Sequence, residues 1–490
     1  MESGCCSGLS FRDFTGSSSS SEWRRRAFGA GVVEACGSFE VDSYARSSVL
    51  TVLTMNRMVG CCLALLALTA PAWTQNPTPA ATRTLILEHA SLIDGRSDAV
   101  RTNVTIVIRG SEIAEVRSTP LPSIPDGAFV LDVAGAWVIP GLVDSHVHVS
   151  EDSRKAMEDV LARTLRGGVT TVRDMGGDAR QLAGLQRDAL LGEILSPDIV
   201  YSAIFAGAEF FTDPRALDVT RGAVSGEAAW ARAVRPGTDL AEAVLEAKGA
   251  GASAVKIYAD LSPADLARIA AAAHAHGLRV WSHAAVFPSR PSDALAAGVD
   301  VISHANYLYW QTTKDVPRAY GPHRDVAPPT PGAASSPELA LLYAEMKRRG
   351  TILDATLFVV KAQAERTADS TRKKYSEAFR DFSYAAVRAA HEAGVQISAG
   401  TDDMIDHGQE LPNLHEELRL LVDCGFTPMQ AIQAATRVSA EAAGAGDRIG
   451  TVEPGKRANL VVLGADPTTN ISNTASIRFV IKAGRLLVRQ

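Results

Sequence analysis

The chain has 490 residues, 46 % hydrophobic and 21 % charged, enough for one large globular domain and a smaller one and too apolar for a disordered chain. A formal net charge of −6 leaves no electrostatic footprint for nucleic acid. Aromatic residues make up only 6 %, so Ala, Val and Leu must build most of the core.

In chain order, the first distinctive segment is Met55-Asn-Arg-Met58, the apolar run Val59–Thr69 and then Ala70-Pro-Ala72. A short basic region, an apolar stretch and a small-x-small site form the layout of a secretory signal, and the run is too short to favour a membrane span. Residues 1–54, with Ser17–Ser21 and Arg24–Arg26, show no period and would bury a signal that belongs at a terminus. Translation is therefore expected to start at Met55 or Met58, with residues 1–54 a non-native or disordered extension. A genuine extension before an anchor helix is the alternative. Residues 55–72 then direct the product to the periplasm or the exterior. Five of the six cysteines (Cys5, Cys6, Cys36, Cys61, Cys62) precede the cleavage site, so the mature chain has neither a disulfide framework nor a thiolate metal site. A lipid anchor on Cys61 is disfavoured, because the apolar run follows that cysteine.

Short strands and turns come next: Thr84–Leu87, Val104–Ile108, Ile113–Val116 and Phe129–Val133, punctuated by Asp94-Gly95 and Arg109-Gly110. The same texture returns only at Ala458–Leu463, Ile477–Ile481 and Arg485–Val488. Neither set makes a good sheet alone. The economical reading is one small β-sandwich built from both ends, residues 83–140 and 446–490, with a larger domain inserted at 141–445.

In that insert, strands alternate with helices. The expected strands are Val138–Val149, Thr170–Arg173, Asp198–Ala203, Ala254–Tyr258, Arg279–His283, Asp300–His304, Thr351–Leu357 and Gln396–Thr401. Ser262-Pro, Ser336-Pro and Thr427-Pro each offer an N-cap with proline at the first helical position, and Gly277 closes the helix begun at Ser262. Eight such units predict an α/β fold, a (β/α)8 TIM barrel with a small discontinuous sandwich. Neither a dinucleotide fingerprint nor a phosphate loop competes. Two connections, Phe205–Asp239 and Tyr307–Ser335, are too long for turns and are expected to shape the pocket, with a disordered insertion as the alternative.

Reactive side chains of such a barrel sit at the C-terminal strand ends. His146 and His148, spaced i, i+2, point one way from an extended strand. Lys256 lies in the apolar run Ala254-Val-Lys-Ile, where an unpaired ammonium is costly. His283, His304 and Asp402 end the fifth, sixth and eighth strands. Any one histidine could be an ordinary hydrogen-bonded residue; six such groups on strands that form one ring are hard to gather by accident. His274, His276 and His391 read as solvated helix residues, His89 belongs to the sandwich and His323 to a loop. Parity with Lys256 places Tyr258 near the mouth, and Asn306 stands in the same relation to His304. Phe210, Phe211 and Arg215 could offer an apolar wall and a carboxylate partner, and His407 lies just past the eighth strand. Trp281, two residues before His283, should fill the barrel interior.

Pro140-Gly-Leu-Val-Asp-Ser-His-Val-His148, Gly168-Val-Thr-Thr-Val-Arg-Asp174, the strand-four lysine, the single histidines of strands five and six, Gly400-Thr-Asp402 and Glu453-Pro-Gly-Lys-Arg-Ala-Asn-Leu-Val461 together resemble the amidohydrolase superfamily over about residues 83–490. The likeness is to its imidazolonepropionase-related and metal-dependent dipeptidase (prolidase-like) branch. The resemblance implies two divalent ions, zinc foremost, bridged by N6-carboxylysine at Lys256. His146, His148 and Asp402 complete one ion and His283 and His304 the other. It further implies a bridging hydroxide that attacks a scissile carbonyl, with Asp402 as base and then acid. Imidazolonepropionase-like relatives use one ion and lack the bridging lysine, so Lys256 argues for two. The expected function is hydrolysis of a C–N bond in a small amide or short peptide by an exported enzyme, either monomeric or a homo-oligomer. A cyclic-amide, lactone or phosphotriester hydrolase is the alternative within enzymes. An inactive binding relative is the alternative outside them, disfavoured because no ligand is missing.

Overall fold

A computed structural model describes residues 83–149, 153–321, 326–406 and 408–488. The expected extension 1–54, the signal segment 55–72, His323 and His407 lie outside the described residues. Among the described residues no helix is long and apolar enough to cross a membrane.

Both ends of the described chain build one continuous mixed sheet. Its strands are Thr84–Leu92, Arg101–Arg109, Glu112–Arg117, Phe129–Asp132, Trp137–Pro140, Leu460–Leu463, Ile477–Lys482 and Arg485–Val488. The two ends meet where Trp137–Pro140 pairs antiparallel with Leu460–Leu463, Pro140 opposite Leu460. The β-branched and leucine-rich composition of these strands suits a pleated surface. Leu87, Ile106, Ile108, Val138, Leu460, Val462 and Ile481 are fully buried in a core of the sheet's own.

The strand expected over Val138–Val149 is in fact two. Trp137–Pro140 belongs to the end sheet and Leu142–Val147 opens the barrel. Gly141 sits at the break, where a Cβ would come within 2.2 Å of Thr170 Oγ1, so only glycine lets the chain pass. The barrel continues through Val169–Asp174, Asp198–Gly207, Ala254–Ile257, Arg279–His283, Val301–Ser303, Ile352–Asp354 and Ile397–Ser398, each parallel to the next. The seam between the eighth and first strands is closed by Ser145 N–H donating to Ala399 O (2.9 Å) and Asp402 N–H donating to His146 O (2.8 Å). The described segment is thus a nearly closed (β/α)8 barrel, with all eight strand C-termini at one rim.

The expected helix starts occur as capped helices. Ser262 and Ser336 accept from the amides of Asp265 and Leu339, and Thr427 forms a reciprocal capping box with Gln430. The long connection after the third strand is ordered rather than a loose insertion. It holds a 3-10 turn at Ala208–Thr212, a helix at Pro214–Val219 and strands at Glu227–Ala228 and Ala231–Val234. The last of these pairs with the end of the third strand, from Ala231 opposite Ile204 to Val234 opposite Gly207. The connection after the sixth strand contains 3-10 turns at Ala305–Gln311 and Ala333–Ser335.

Candidate metal centre

Every residue of Leu142–Val147 is buried, and a register shift against the second strand falls between Asp144 and Val147. Such bulges re-aim side chains beside active sites. His146 Nε2 and His148 Nε2 lie 3.5 Å and 3.3 Å from the same oxygen, Asp402 Oδ1. One ligand atom from each of these residues falls within 4.8 Å of the others, a group able to hold a divalent cation. Asp402 reaches this position with φ +55° and His304 with φ +75°, a backbone region costly for such residues and concentrated at functional sites. Burial alone would raise the Asp402 carboxyl. The imidazoles of His146, His148 and His304 outweigh it and hold the group well below the usual carboxylate range.

His304 packs between two other imidazoles, its ring centroid 4.7 Å from that of His146 and 4.7 Å from that of His283. Burial, with charge repulsion from neighbouring cations, keeps His283 and His304 well below the ordinary imidazole value, so both are neutral and able to ligate. Lys256 is fully buried. Its Nζ and His283 Nδ1 are inaccessible and have no hydrogen-bond partner among the described residues. Burial above all, and Arg173 secondarily, lower the amine to about 7. A buried orphan amine beside a buried orphan imidazole is costly unless a ligand completes it. The donor set, four imidazoles, an ionised aspartate and a lysine that sheds its proton easily, therefore fits divalent metal.

Sequence reasoning missed Asp354, at the end of the seventh strand. Its carboxylate accepts from Ser145 Oγ (2.9 Å), Ser303 Oγ (2.9 Å) and Arg173 Nη2 (2.9 Å), and lies 2.6 Å from His146 Nδ1. Two residues on, Thr356 Oγ1 is 3.0 Å from His304 Nδ1. The available signal was an acid inside an apolar strand, Ile352-Leu-Asp-Ala, the reasoning that singled out Lys256. Trp281 does fill the barrel interior, with the Arg173 guanidinium 4.6 Å from its ring centre.

Of the residues expected to meet substrate, Tyr258 lies against His283, ring centroids 4.1 Å apart, and Phe210 packs 4.4 Å from Tyr258. The Arg215 guanidinium stands 5.4 Å from the Tyr320 ring centre and pairs with Asp213 at 2.8 Å, so its charge is shared within its own loop. The alternation used to place Asn306 does not reach it. The sixth strand ends at Ser303, His304 turns the chain, and Asn306 sits in a 3-10 turn with Oδ1 buried and without a hydrogen-bond partner among the described residues. Outside the centre, His89 is exposed and pairs with Asp132, and His274 pairs with Asp300. His415 bridges Thr474 and Gly167.

Residues 137–487 match the family model described as the amidohydrolase family. The chain is similar to an enamidase of Eubacterium barkeri, 29 % identical over 214 residues, 41 % of this chain and 51 % of the relative. It therefore spans about half of that relative's length. An imidazolonepropionase of Micrococcus luteus is 24 % identical over 444 residues, 79 % of this chain and 94 % of the relative. Among solved structures, a Xaa-Pro dipeptidase with methionine in its active site superposes with a TM-score of 0.64 at 22 % identity. That match covers 83 % of this chain and 100 % of the other, a likeness of fold.

Proposed function

The chain belongs to the amidohydrolase family, and from that premise we propose that it hydrolyses the C–N bond of a small amide or peptide-like substrate. The observation that carries this reading is the convergence of His146, His148, His283, His304, Lys256 and Asp402, scattered over the sequence, on one rim of the barrel. His146, His148 and Asp402 would hold one divalent ion and His283 and His304 a second, with Lys256, carboxylated on Nζ, between them. Zinc suits these nitrogen and oxygen donors. Ions bound there acidify water and polarise a carbonyl oxygen. Asp402, ionised and facing two imidazoles, is placed to take the proton of the attacking water and deliver it to the departing nitrogen as the C–N bond breaks. Tyr258, Phe210 and Tyr320 form an aromatic wall beside His283, against which an apolar part of the substrate would lie; Arg215 and Asn306 remain polar candidates for contact with it, and His407 remains one on the sequence alone. A cyclic amide is the second reading, favoured by the alignment to imidazolonepropionase over most of the chain; the buried lysine weighs against it. The segment 55–72 further suggests export, which N-terminal sequencing of the native protein tests: a start well before Met55 overturns it.

The main reading is tested by metal analysis and a substrate panel. Purified protein is expected to hold close to two ions per chain, to show a carbamate signal by 13C NMR after exchange with labelled bicarbonate, and to cleave members of a dipeptide and N-acyl amino acid library. Single occupancy with Lys256→Ala fully active would overturn the two-ion reading, and metal-loaded protein inert on amides, lactones and phosphotriesters would overturn hydrolysis.

A further inference from the structure

A barrel interior is ordinarily filled by branched apolar side chains. Directly beneath the histidines this one carries a polar layer instead. Ser145, Arg173, Ser303, Asp354 and Ser398, from five different strands, are all fully buried. Ser145 Oγ links Asp354 (2.9 Å) to Ser398 Oγ (3.0 Å). Arg173 is held by the carbonyls of Ser145 and Ala442 as well as by Asp354. Replacing a buried ion pair by apolar residues is often neutral or stabilising, so stability alone does not account for the layer. What it does make is a fixed acceptor under one imidazole. Asp354 Oδ2 receives Arg173 and Ser303 and stands 2.6 Å from His146 Nδ1, while His146 Nε2 faces Asp402.

We propose that Asp354, pinned by Arg173, is a positioning residue that fixes His146 with its proton on Nδ1 and presents Nε2 to the metal. An ionised carboxylate only accepts, so the proton between the two groups belongs to the imidazole. Outer partners of this kind set tautomer and ring orientation, and their loss weakens metal binding by roughly 10–100-fold. Thr356, two residues past the end of that strand, lies 3.0 Å by its Oγ1 from Nδ1 of His304. The seventh strand and the turn that follows it thus supply none of the six proposed donors yet touch two of them from behind. The inference rests on the metal-binding reading above, and its test separates the two.

The first measurement is the tautomer of His146 in metal-free wild-type protein, by long-range 1H–15N NMR assigned with a His146→Gln control. Protonation on Nδ1 is expected; a proton on Nε2 overturns the proposal whether or not metal binds. The second is zinc affinity by chelator competition for wild type and Asp354→Asn, with circular dichroism reporting the fold. A folded Asp354→Asn protein that binds zinc at least tenfold more weakly supports the proposal, and one within twofold of wild type overturns it. Where Asp354→Asn does not fold, Arg173→Lys takes its place with the same two thresholds. Wild type that binds no zinc would end the metal reading while leaving the tautomer measurement decisive here.

Discussion

The interior of the end sheet and that of the barrel rim are built on opposite principles. Leu87, Ile106, Ile108, Leu460 and Val462 fill the former, and each aliphatic side chain removed from water contributes on the order of 2 kcal/mol. At the rim the fully buried residues include Arg173, Lys256, Asp354 and, nearly so, His146. Their desolvation costs free energy that hydrogen bonds offset only in part, and Lys256 makes no hydrogen bond among the described residues. The difference separates what holds the fold from what the fold holds. Apolar substitutions in the sheet should lower stability without touching chemistry, and polar substitutions at the rim should do the reverse.

The contrast is sharpest for Asp402. Asp402→Asn removes the proposed base while keeping its shape, and kcat should fall on the order of a thousandfold, with thermal unfolding near that of wild type. A variant that keeps a tenth of the activity would break the assignment. In the sheet, Ile106→Ala should cost about 3 kcal/mol by cavity formation, read as a drop in denaturation midpoint, while metal bound per folded chain stays unchanged. Gly400→Ala tests the boundary between the two regimes. Its added Cβ would lie 2.3 Å from Asp354 Oδ1 and 2.7 Å from His146 Cβ, so a stability loss of about 1–3 kcal/mol should come together with weaker metal binding. Stability loss alone would show that the eighth strand can shift without disturbing His146. The smallest effect belongs to the surface. Arg348 and Arg349 hold the Glu345 carboxyl at about 2, below its ordinary 4.5. A lowered pKa contributes stability above the ordinary value that is lost as pH falls toward 2. Glu345→Gln should therefore narrow the difference between neutral and acid melting temperatures slightly, and high salt should erase the change, because exposed pairs are screened.

The parts of this architecture legible in the sequence are those with a local signature. Alternation put His146 and His148 on one side, Ser-Pro and Thr-Pro pairs marked helix starts, and β-branched runs marked both halves of the end sheet. Gly141 hid a strand break inside one apolar run, because the need for glycine comes from Thr170, distant in sequence. Alternation does not extend to Asn306, because the strand ends at Ser303 and His304 takes positive φ. Asp354 and Arg173 escaped for a third reason. Asp354 carries a local signal as an acid inside an apolar run, but only the closed ring shows that it and Arg173 meet each other and His146.

The pairing of Trp137–Pro140 with Leu460–Leu463 carries a consequence for biosynthesis. On the ribosome the N-terminal partner emerges more than three hundred residues before its mate, and all of that time its edge stays open, a template for other nascent strands. A product truncated before residue 446 would keep every proposed metal ligand yet leave that edge bare. Completion of the last segment therefore covers an edge that a fragment would leave available for pairing.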